Sequence, residues 1–475
     1  MNTISKARKR ILEVLDENSF IEIGAHVMAR ATDFNLGEVR KPTDGVITGY
    51  GTMHGRLVYV YSQDESVLHG TIGEMHAKKI VRVYELAMKM GAPVVGFLSS
   101  YGLRLREASD ALHGLGEIYL AQTRASGVIP QITAIVGVCG GGLALVPSLS
   151  DFSFIEKDHG QLFINSPNVL SGNTMDKNNT ASANFQSAET GIVDAVGSEA
   201  HIISEIRRLI DFLPSNNEDE VHRECTDDLN RICEGIESYR GDTKQLLKML
   251  SDDYQIFEMQ KECAKEMVIA FISLNGYTVG AVANRTQLLD KEGKVIETYE
   301  AALSQKGCEK AASFMKFCNA YHIPILTVTN TSGFVSTIQS EKGIAKAVGE
   351  FIYTLADATV PKVNLIIGES MGSAAVVMNG KSIGADICIS WPDTTIGTME
   401  PMLAAKVLYE GKGADVIMAK AEEYKEKQTS VGSAARRGYV DHVIEAKDTR
   451  KYLIGSFEML YTKSELKHYK KHGTV

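Results

Sequence analysis

The chain lacks any long uninterrupted apolar segment, so no membrane span is expected. Its first residues, "MNTISKARKRILEVLDENSF", have neither an apolar core nor a small-residue cleavage site, and do not read as a secretory signal. Paired cysteines are missing as well. The seven present, Cys139, Cys225, Cys233, Cys263, Cys308, Cys318 and Cys388, are scattered and contain no CxxC. A disulfide framework and a structural zinc are therefore not expected, no metal site is expected, and a reducing cytoplasm fits best. Excess positive charge is also absent, the net charge being -9 at pH 7. That balance argues against a broad nucleic-acid or anionic-membrane surface. It leaves room for a local basic pocket that holds a phosphate-bearing ligand.

What is present fits a soluble globular chain: 475 residues, 44% hydrophobic and 23% charged, more than one core usually serves. Two domains are the first expectation. Within this ordinary composition one stretch stands out, "VGVCGGGLALVPS" at Val136 to Ser148. A linker would surround such glycines with polar residues, and a membrane span would not carry Gly140, Gly141, Gly142 and Pro147 together at its centre.

The chain also contains itself twice. "MGAPVVGFLSSYG" (Met90 to Gly102) matches "YHIPILTVTNTSG" (Tyr321 to Gly333), and "GVIPQITAIVGVCGGG" (Gly127 to Gly142) matches "ATVPKVNLIIGESMGS" (Ala358 to Ser373). Pro93 pairs with Pro324, Gly102 with Gly333, Pro130 with Pro361 and Gly141 with Gly372, each pair 231 residues apart. A weaker match upstream, "MHGRLVYVYSQD" (Met53 to Asp64) with "LNGYTVGAVANR" (Leu274 to Arg285), has an offset of 221 and implies about ten extra residues later in the second copy. The polar, charged segment Pro214 to Asp242 separates the copies, and the expected domains are 1–235 and 236–475.

Within each copy, apolar strands alternate with helices, which indicates an α/β fold. "GEMHAKKIVRVYELAMKM" places Ala77, Ile80, Val81, Tyr84 and Met88 on one helical stripe, and the buried run "PVVGFL" follows. Glycines directly after an apolar strand and before a helix let backbone N–H groups stand clear of side chains, and the helix N-terminus adds partial positive charge. Both copies carry such a turn, at Gly140 to Gly142 and at Met371 to Ser373. Two oxyanion holes imply two carbonyl-bearing reactants whose enolate forms both need stabilising. The alternative is that the glycines only permit close helix-to-strand packing.

The motifs "DGVITGYGTMHGRLVYVYSQD", "GEMHAKKI", "ASGVIPQITAIVGVCGGG", "FCNAYHIPIL", "ATVPK", "VVMNGKSIGAD" and "RRGYVD" span nearly the whole chain in order. In them the chain resembles the carboxyltransferase subunits of biotin-dependent acyl-CoA carboxylases and decarboxylases, the family of propionyl-CoA carboxylase beta subunits and methylmalonyl-CoA decarboxylase alpha subunits. The resemblance implies two tandem crotonase-like ββα superhelical domains and a hexamer built as a trimer of dimers. Its active site would lie between the first domain of one subunit and the second domain of its dimer partner. It implies biotin on a separate carrier protein, not on this chain, with acyl-CoA as substrate. Partners would be a biotin carboxyl carrier protein and biotin carboxylase or decarboxylase subunits. Carried over by position, the first hole resembles Gly141 and Gly142, facing the acyl-CoA thioester. The second resembles Ser373 and Ala374 beside Gly372, facing the biotin ureido oxygen. Gly102 and Arg104 persist from a family substrate loop, and apolar Val376 falls at an acyl-pocket position, implying a short unfunctionalised acyl chain.

Departures cluster at the active-site loops. The usual DSGGAR reads "SSYGLR", with Ser99 for an acid and Tyr101 for a glycine; DxPGF reads "NTSGF", with Asn330 and Ser332; GGA becomes "GSA"; MGPEGA becomes "MEPMLA". That pattern fits a changed substrate, or a non-catalytic subunit paired with an active paralogue. A free-standing crotonase-type hydratase is disfavoured, since it needs one such domain. His76 and Lys78 are candidate contacts for CoA phosphates, with a solvated helix face as the alternative. Glu107 is a candidate general base, with an exposed glutamate as the alternative. Cys139 reads as a buried inert thiol, and Lys89 in "AMKM" as the end of an amphipathic helix, not a biotin attachment site.

Overall fold

The computed structural model describes residues 4–32, 34 and 41–466. They form two compact units, Met1–Glu220 and Val221–Val475. The sequence places the boundary fifteen residues later, because the intervening stretch is polar enough to read as a linker. Its charges are engaged, however. The Arg231 guanidinium donates to the carbonyls of Met249 and Ser251, both at 2.9 Å, and Cys233 is buried among Ile236, Leu246 and Leu247.

The first unit is built on β1 (Ile21–Ile23), β2 (Val46–Met53), β3 (Arg56–Gln63), β4 (Val94–Ser100), β5 (Gln131–Gly140), β6 (Phe152–Glu156), β7 (Gln161–Phe163) and β8 (Ala195–Gly197). They pair in the order β1-β2-β3-β4-β5-β6-β8, with β7 beside the end of β5. β1 to β3 are antiparallel, and from β3 onward the pairing is parallel. Parallel strands need long crossovers, here the helices Glu74–Met90 and Ala108–Ala125. The parallel strands are buried on both faces, which is why they read as continuous apolar runs.

The second unit repeats this plan with β9 (Ile256–Met259), β10 (Met267–Leu274), β11 (Tyr277–Asn284), β12 (Gln287–Leu289), β13 (Val295–Thr298), β14 (Ala302–Leu303), β15 (Ile325–Thr331), β16 (Gly333–Phe334), β17 (Lys362–Met371), β18 (Ile387–Ser390), β19 (Thr395–Gly397) and β20 (His442–Val443). Its main sheet runs β20-β18-β17-β15-β11-β10-β9, with β19 beside the end of β17. The correspondence holds residue for residue in the central strands. β10 and β11 start 221 positions after β2 and β3, while β15 and β17 start 231 positions after β4 and β5. The small β12–β13 hairpin fills the interval between the two offsets.

Local chemistry explains the repeat. The β2–β3 turn places His54 and Gly55 at φ +52° and +76°, and the β10–β11 turn places Asn275 and Gly276 at +52° and +80°. Both are mirror-image turns that suit the right-handed twist of a hairpin. A carboxylate holds each one: Asp16 accepts from the N–H groups of His54 and Gly55, and Asp252 from those of Asn275 and Gly276. On the helix Glu74–Met90 the fully buried face is Ala77, Ile80, Val83, Tyr84 and Ala87, with Val81 and Met88 at its edges. The buried face is thus rotated slightly from the stripe read in the sequence, with Val83 and Ala87 in place of Val81 and Met88.

Candidate active site

Each glycine turn sits at the carboxyl end of a central ten-residue strand. β5 passes into a helical turn at Gly141–Ala144, and β17 into the helix Gly372–Val377. Gly141 and Gly372 adopt φ +62° and +60°, a left-handed conformation that strains any residue with a Cβ. A left-handed residue followed by right-handed ones turns successive N–H groups toward one point, which makes a concavity for an anionic oxygen. These N–H groups open a helical turn and have no acceptor within it. Gly142 and Ser373 face solvent, whereas Leu143 and Ala374 anchor the turns in the core.

Close packing also fixes the first turn. A Cβ on Gly142 would stand 2.8 Å from Leu115 Cδ2 and 3.0 Å from Tyr119 Oη, and one on Gly140 would stand 2.6 Å from the Phe163 ring. Tyr119 Oη donates to the Gly142 carbonyl at 2.5 Å. The packing reading of the glycines and the anion reading are thus both satisfied, by different atoms of the same residues. At the second turn the side chain of Ser373 points to solvent, and its backbone N–H still lies in the opening turn of the helix.

The neighbouring strand ends are built alike in both copies. β4 and β5 shift register between Leu98 and Ser100, and β15 and β17 between Thr329 and Thr331. At this irregularity an amide side chain from the preceding strand supplies the missing acceptor: Gln63 Oε1 accepts from Ser99 N–H at 2.9 Å, and Asn284 Oδ1 from Asn330 N–H at 2.8 Å. Gly137 and Gly368 leave room for the side chains of Ser99 and Asn330, with which a Cβ would overlap. Ser99 is buried and its hydroxyl donates to the exposed Glu65. A carboxylate from just beyond β3 thus approaches Ser99. Neither the amide links nor Gly137 was read from the sequence, although Gln63 and Asn284 repeat at the offset of 221 and Gly137 and Gly368 at 231.

Several expected contacts lie elsewhere. His76 is fully buried and not at the surface; its Nδ1–H donates to the Asp44 carbonyl at 2.9 Å and its Nε2 accepts from the Gln63 amide at 3.2 Å. The backbone oxygen can only accept, so the neutral Nδ1–H form is fixed. Burial, with Arg104 and Lys79 nearby, pushes His76 down to about 3. A neutral, enclosed imidazole cannot hold a CoA phosphate. Arg104 is likewise committed, pairing with Asp44 and Glu107 at 2.7 Å each and donating to the Thr71 carbonyl at 2.8 Å. Burial pushes the Asp44 carboxyl up to about 6 despite that guanidinium.

Glu107 is buried and not the expected exposed glutamate. Its second oxygen accepts from Glu74 N–H at 2.7 Å, satisfying the N-terminus of the helix Glu74–Met90. Bonded at both oxygens and almost wholly enclosed, it is committed to the structure. Lys78 is half exposed and pairs with Glu74 at 2.6 Å. Gly102 takes φ +98° with open space around it, and Val376 is 38% exposed on the second turn's helix. Cys139 is buried, with burial pushing its thiol well above the usual range, and Lys89 lies in the last turn of its helix. Among the described residues no cluster of histidine, cysteine and carboxylate side chains could hold a metal ion. None of their helices is long and apolar enough to cross a membrane.

Two mixed sheets, antiparallel at one edge and parallel through the centre, each present a glycine turn at the carboxyl end of the central strand, an α/β arrangement with two built places for an anionic oxygen. Residues 5–475 match the carboxyl transferase domain, and the chain belongs to that family. It is 36% identical over 484 residues to the propionyl-CoA carboxylase beta chain of Roseobacter denitrificans, covering 99% of this chain and 93% of the relative. It is 37% identical over 482 residues to the methylmalonyl-CoA decarboxylase alpha subunit of Veillonella parvula, covering 99% and 92%. The solved transcarboxylase 12S, a hexamer determined with hydrolysed methylmalonyl-coenzyme A bound, superposes with a TM-score of 0.91 at 32% identity, over 98% of this chain and 92% of that one. The chain is thus an acyl-CoA carboxyltransferase of the biotin-dependent carboxylases and decarboxylases, with biotin on a separate carrier.

Proposed function

We propose that the two glycine turns hold the two oxygens that become anionic during carboxyl transfer on a short-chain acyl-CoA. The observation that carries this reading is the duplicated left-handed turn, with Gly141 and Gly372 in one conformation. The N–H groups of Gly141 and Gly142 would receive the thioester oxygen, stabilising its enolate as the α-carbon gains or loses CO2. Those of Ser373 and Ala374, beside Gly372, would receive the ureido oxygen of biotin. Biotin, when bound, carries the CO2. No side-chain acid or base is required of this chain, consistent with the engagement of Glu107, Arg104 and His76 in structure.

Val376, apolar and partly exposed, supports a short acyl group without polar substituents, and Gly102 leaves space beside the first turn. A biotin carboxyl carrier protein with a carboxylase or decarboxylase subunit would complete the system, around a hexamer of this chain arranged as a trimer of dimers. The hexameric form of the similar transcarboxylase 12S supports that assembly. Seven free cysteines, six of them buried, support a reducing cytoplasm. Since the relatives include both a carboxylase and a decarboxylase component, partner subunits would set the direction.

The test uses the purified protein, free biotin and malonyl-CoA or methylmalonyl-CoA, following loss of the carboxylated thioester. Biotin-dependent turnover is expected, and Gly142→Pro, which removes the N–H, should abolish it. Absence of turnover with both thioesters would overturn the assignment.

A further inference from the structure

We infer that Tyr101, backed by His69, forms an aromatic wall beside the first glycine turn and limits which acyl groups the thioester site accepts. The inference rests on the proposed role of that turn. Ser100 at the end of β4 stands opposite Cys139 of β5, so Tyr101 leaves the sheet at the same end at which Gly140 and Gly141 follow Cys139. Ligands of open α/β sheets bind outside the carboxyl ends of the strands. At this place Tyr101 is 65% exposed, a large stiff side chain left uncovered.

The ring is held from behind. The His69 imidazole meets it edge-on, ring centres 5.6 Å apart and planes at 69°, and Tyr101 N–H donates to the His69 carbonyl at 3.3 Å. That support requires an unusual backbone. Leu68, His69 and Gly70 take φ +51°, +54° and +62° in succession, and a Cβ on Gly70 would overlap the Ser99 carbonyl. Left-handed conformations at Leu68 and His69 are strained and persist only where the surroundings enforce them.

The second copy supplies an internal control. There Ser332 occupies the position of Tyr101 and donates its N–H to the Ala301 carbonyl at 2.7 Å, while Tyr299, Glu300 and Ala301 all have ordinary negative φ. The same loop closure is therefore made without an aromatic pair and without strain. The difference follows the proposed division of labour. The second turn meets biotin, the same group in every cycle, whereas the first meets thioesters that differ in acyl length. Only the first needs a wall that rejects.

The experiment compares malonyl-, methylmalonyl-, ethylmalonyl- and butylmalonyl-CoA in the free-biotin assay, for the unaltered protein and for Tyr101→Ala, Tyr101→Phe and His69→Ala. One methylene against a fixed apolar wall discriminates about 10-fold or more. Tyr101→Ala should therefore raise kcat/KM for butylmalonyl-CoA relative to malonyl-CoA at least about 10-fold. Tyr101→Phe, which keeps the ring, should retain the unaltered ratio, and His69→Ala should shift it in the same direction by less. A Tyr101→Ala protein that turns over malonyl-CoA with an unchanged ratio overturns the wall and leaves the carboxyltransferase reading intact. So does a folded Tyr101→Ala protein that has lost all turnover, since selection alone predicts retained chemistry. If the unaltered protein turns over no thioester, the functional reading falls and the wall with it.

Discussion

Gly141 and Gly372 lie 231 positions apart and share one backbone conformation, φ +62° and +60°, each as the first residue beyond a ten-residue strand. Because the two turns are built alike but assigned different oxygens, they can be separated by substitution. Nothing lies within 4 Å of a Cβ placed on Gly141, so Gly141→Ala introduces backbone strain without a clash. It should cost about 1–2 kcal/mol of stability. Turning the N–H away from a developing oxyanion costs about 10²–10³ in kcat. We expect Gly141→Ala to lose kcat of that order with the dependence on biotin unchanged, and Gly372→Ala to weaken the response to biotin. Steady-state kinetics with each substrate varied, alongside thermal melts, check both.

The thiols provide an independent test. All seven cysteines are free, and only Cys225 has appreciable exposure. Burial pushes Cys308 and Cys388 up to about 12, so little thiolate forms in the folded protein at neutral pH. An aromatic disulfide reagent at pH 7.5 should label at most Cys225 rapidly in the native protein and all seven thiols after denaturation. Rapid native labelling of Cys139 would show that the glycine turn opens, contrary to the burial seen here.

The repeat made much of the fold legible, because matching glycines and prolines mark where strands must begin and end. Pro93 and Pro324 precede β4 and β15, and Gly141 and Gly372 close β5 and β17, so the offset of 231 read in the sequence reappears in the strand register. The ten extra residues became the β12–β13 hairpin. The side-chain partners were much less legible. His76 and Glu107 are polar residues near a helix, for which a solvated position is the ordinary expectation, and Arg104 reads as part of a substrate loop. What draws them inward is Asp44, sixty positions before Arg104, whose carboxylate and carbonyl receive both the guanidinium and the imidazole. No local pattern announces such a partner. Burial of charge depends on a distant complement, whereas strand burial depends only on neighbours.

His76 gives the fold a defined acid sensitivity. Its folded-state value near 3 lies below the ordinary histidine value of 6.5. The neutral ring therefore favours folding fully above about pH 6.5, and this contribution is lost as pH falls toward 3, where the folded ring would also be charged. Across that window one proton taken up on unfolding corresponds to about 1.4 kcal/mol per pH unit. His76→Gln, which can donate and accept but does not titrate, should be less steeply destabilised between pH 6 and 4 by that increment. Urea unfolding at several pH values measures the slope, and equal slopes for both proteins would contradict a buried neutral His76.

Ser99 and Gly137 form a pair that tests how the active-site end of the sheet is shaped. A Cβ on Gly137 would overlap Ser99 Oγ first and the end of the exposed, flexible Glu65 side chain second, just as one on Gly368 would overlap the Asn330 amide. Ser99 itself is 1% exposed, lies at the register shift between β4 and β5, and is held by its bond to Glu65. Gly137→Ala should therefore destabilise the protein by about 1–3 kcal/mol, the usual result of overpacking a core. The penalty belongs to the pair and not to alanine in a strand, so Ser99→Gly combined with Gly137→Ala should recover at least half of it. A double-mutant cycle on unfolding free energies reads this coupling directly. Additive effects would mean that the β4 end yields freely, and the β-bulge could not then hold Gly140 and Gly141 in register beside Tyr101. The coupling should exceed about 0.5 kcal/mol, the level that separates contacting residues from independent ones.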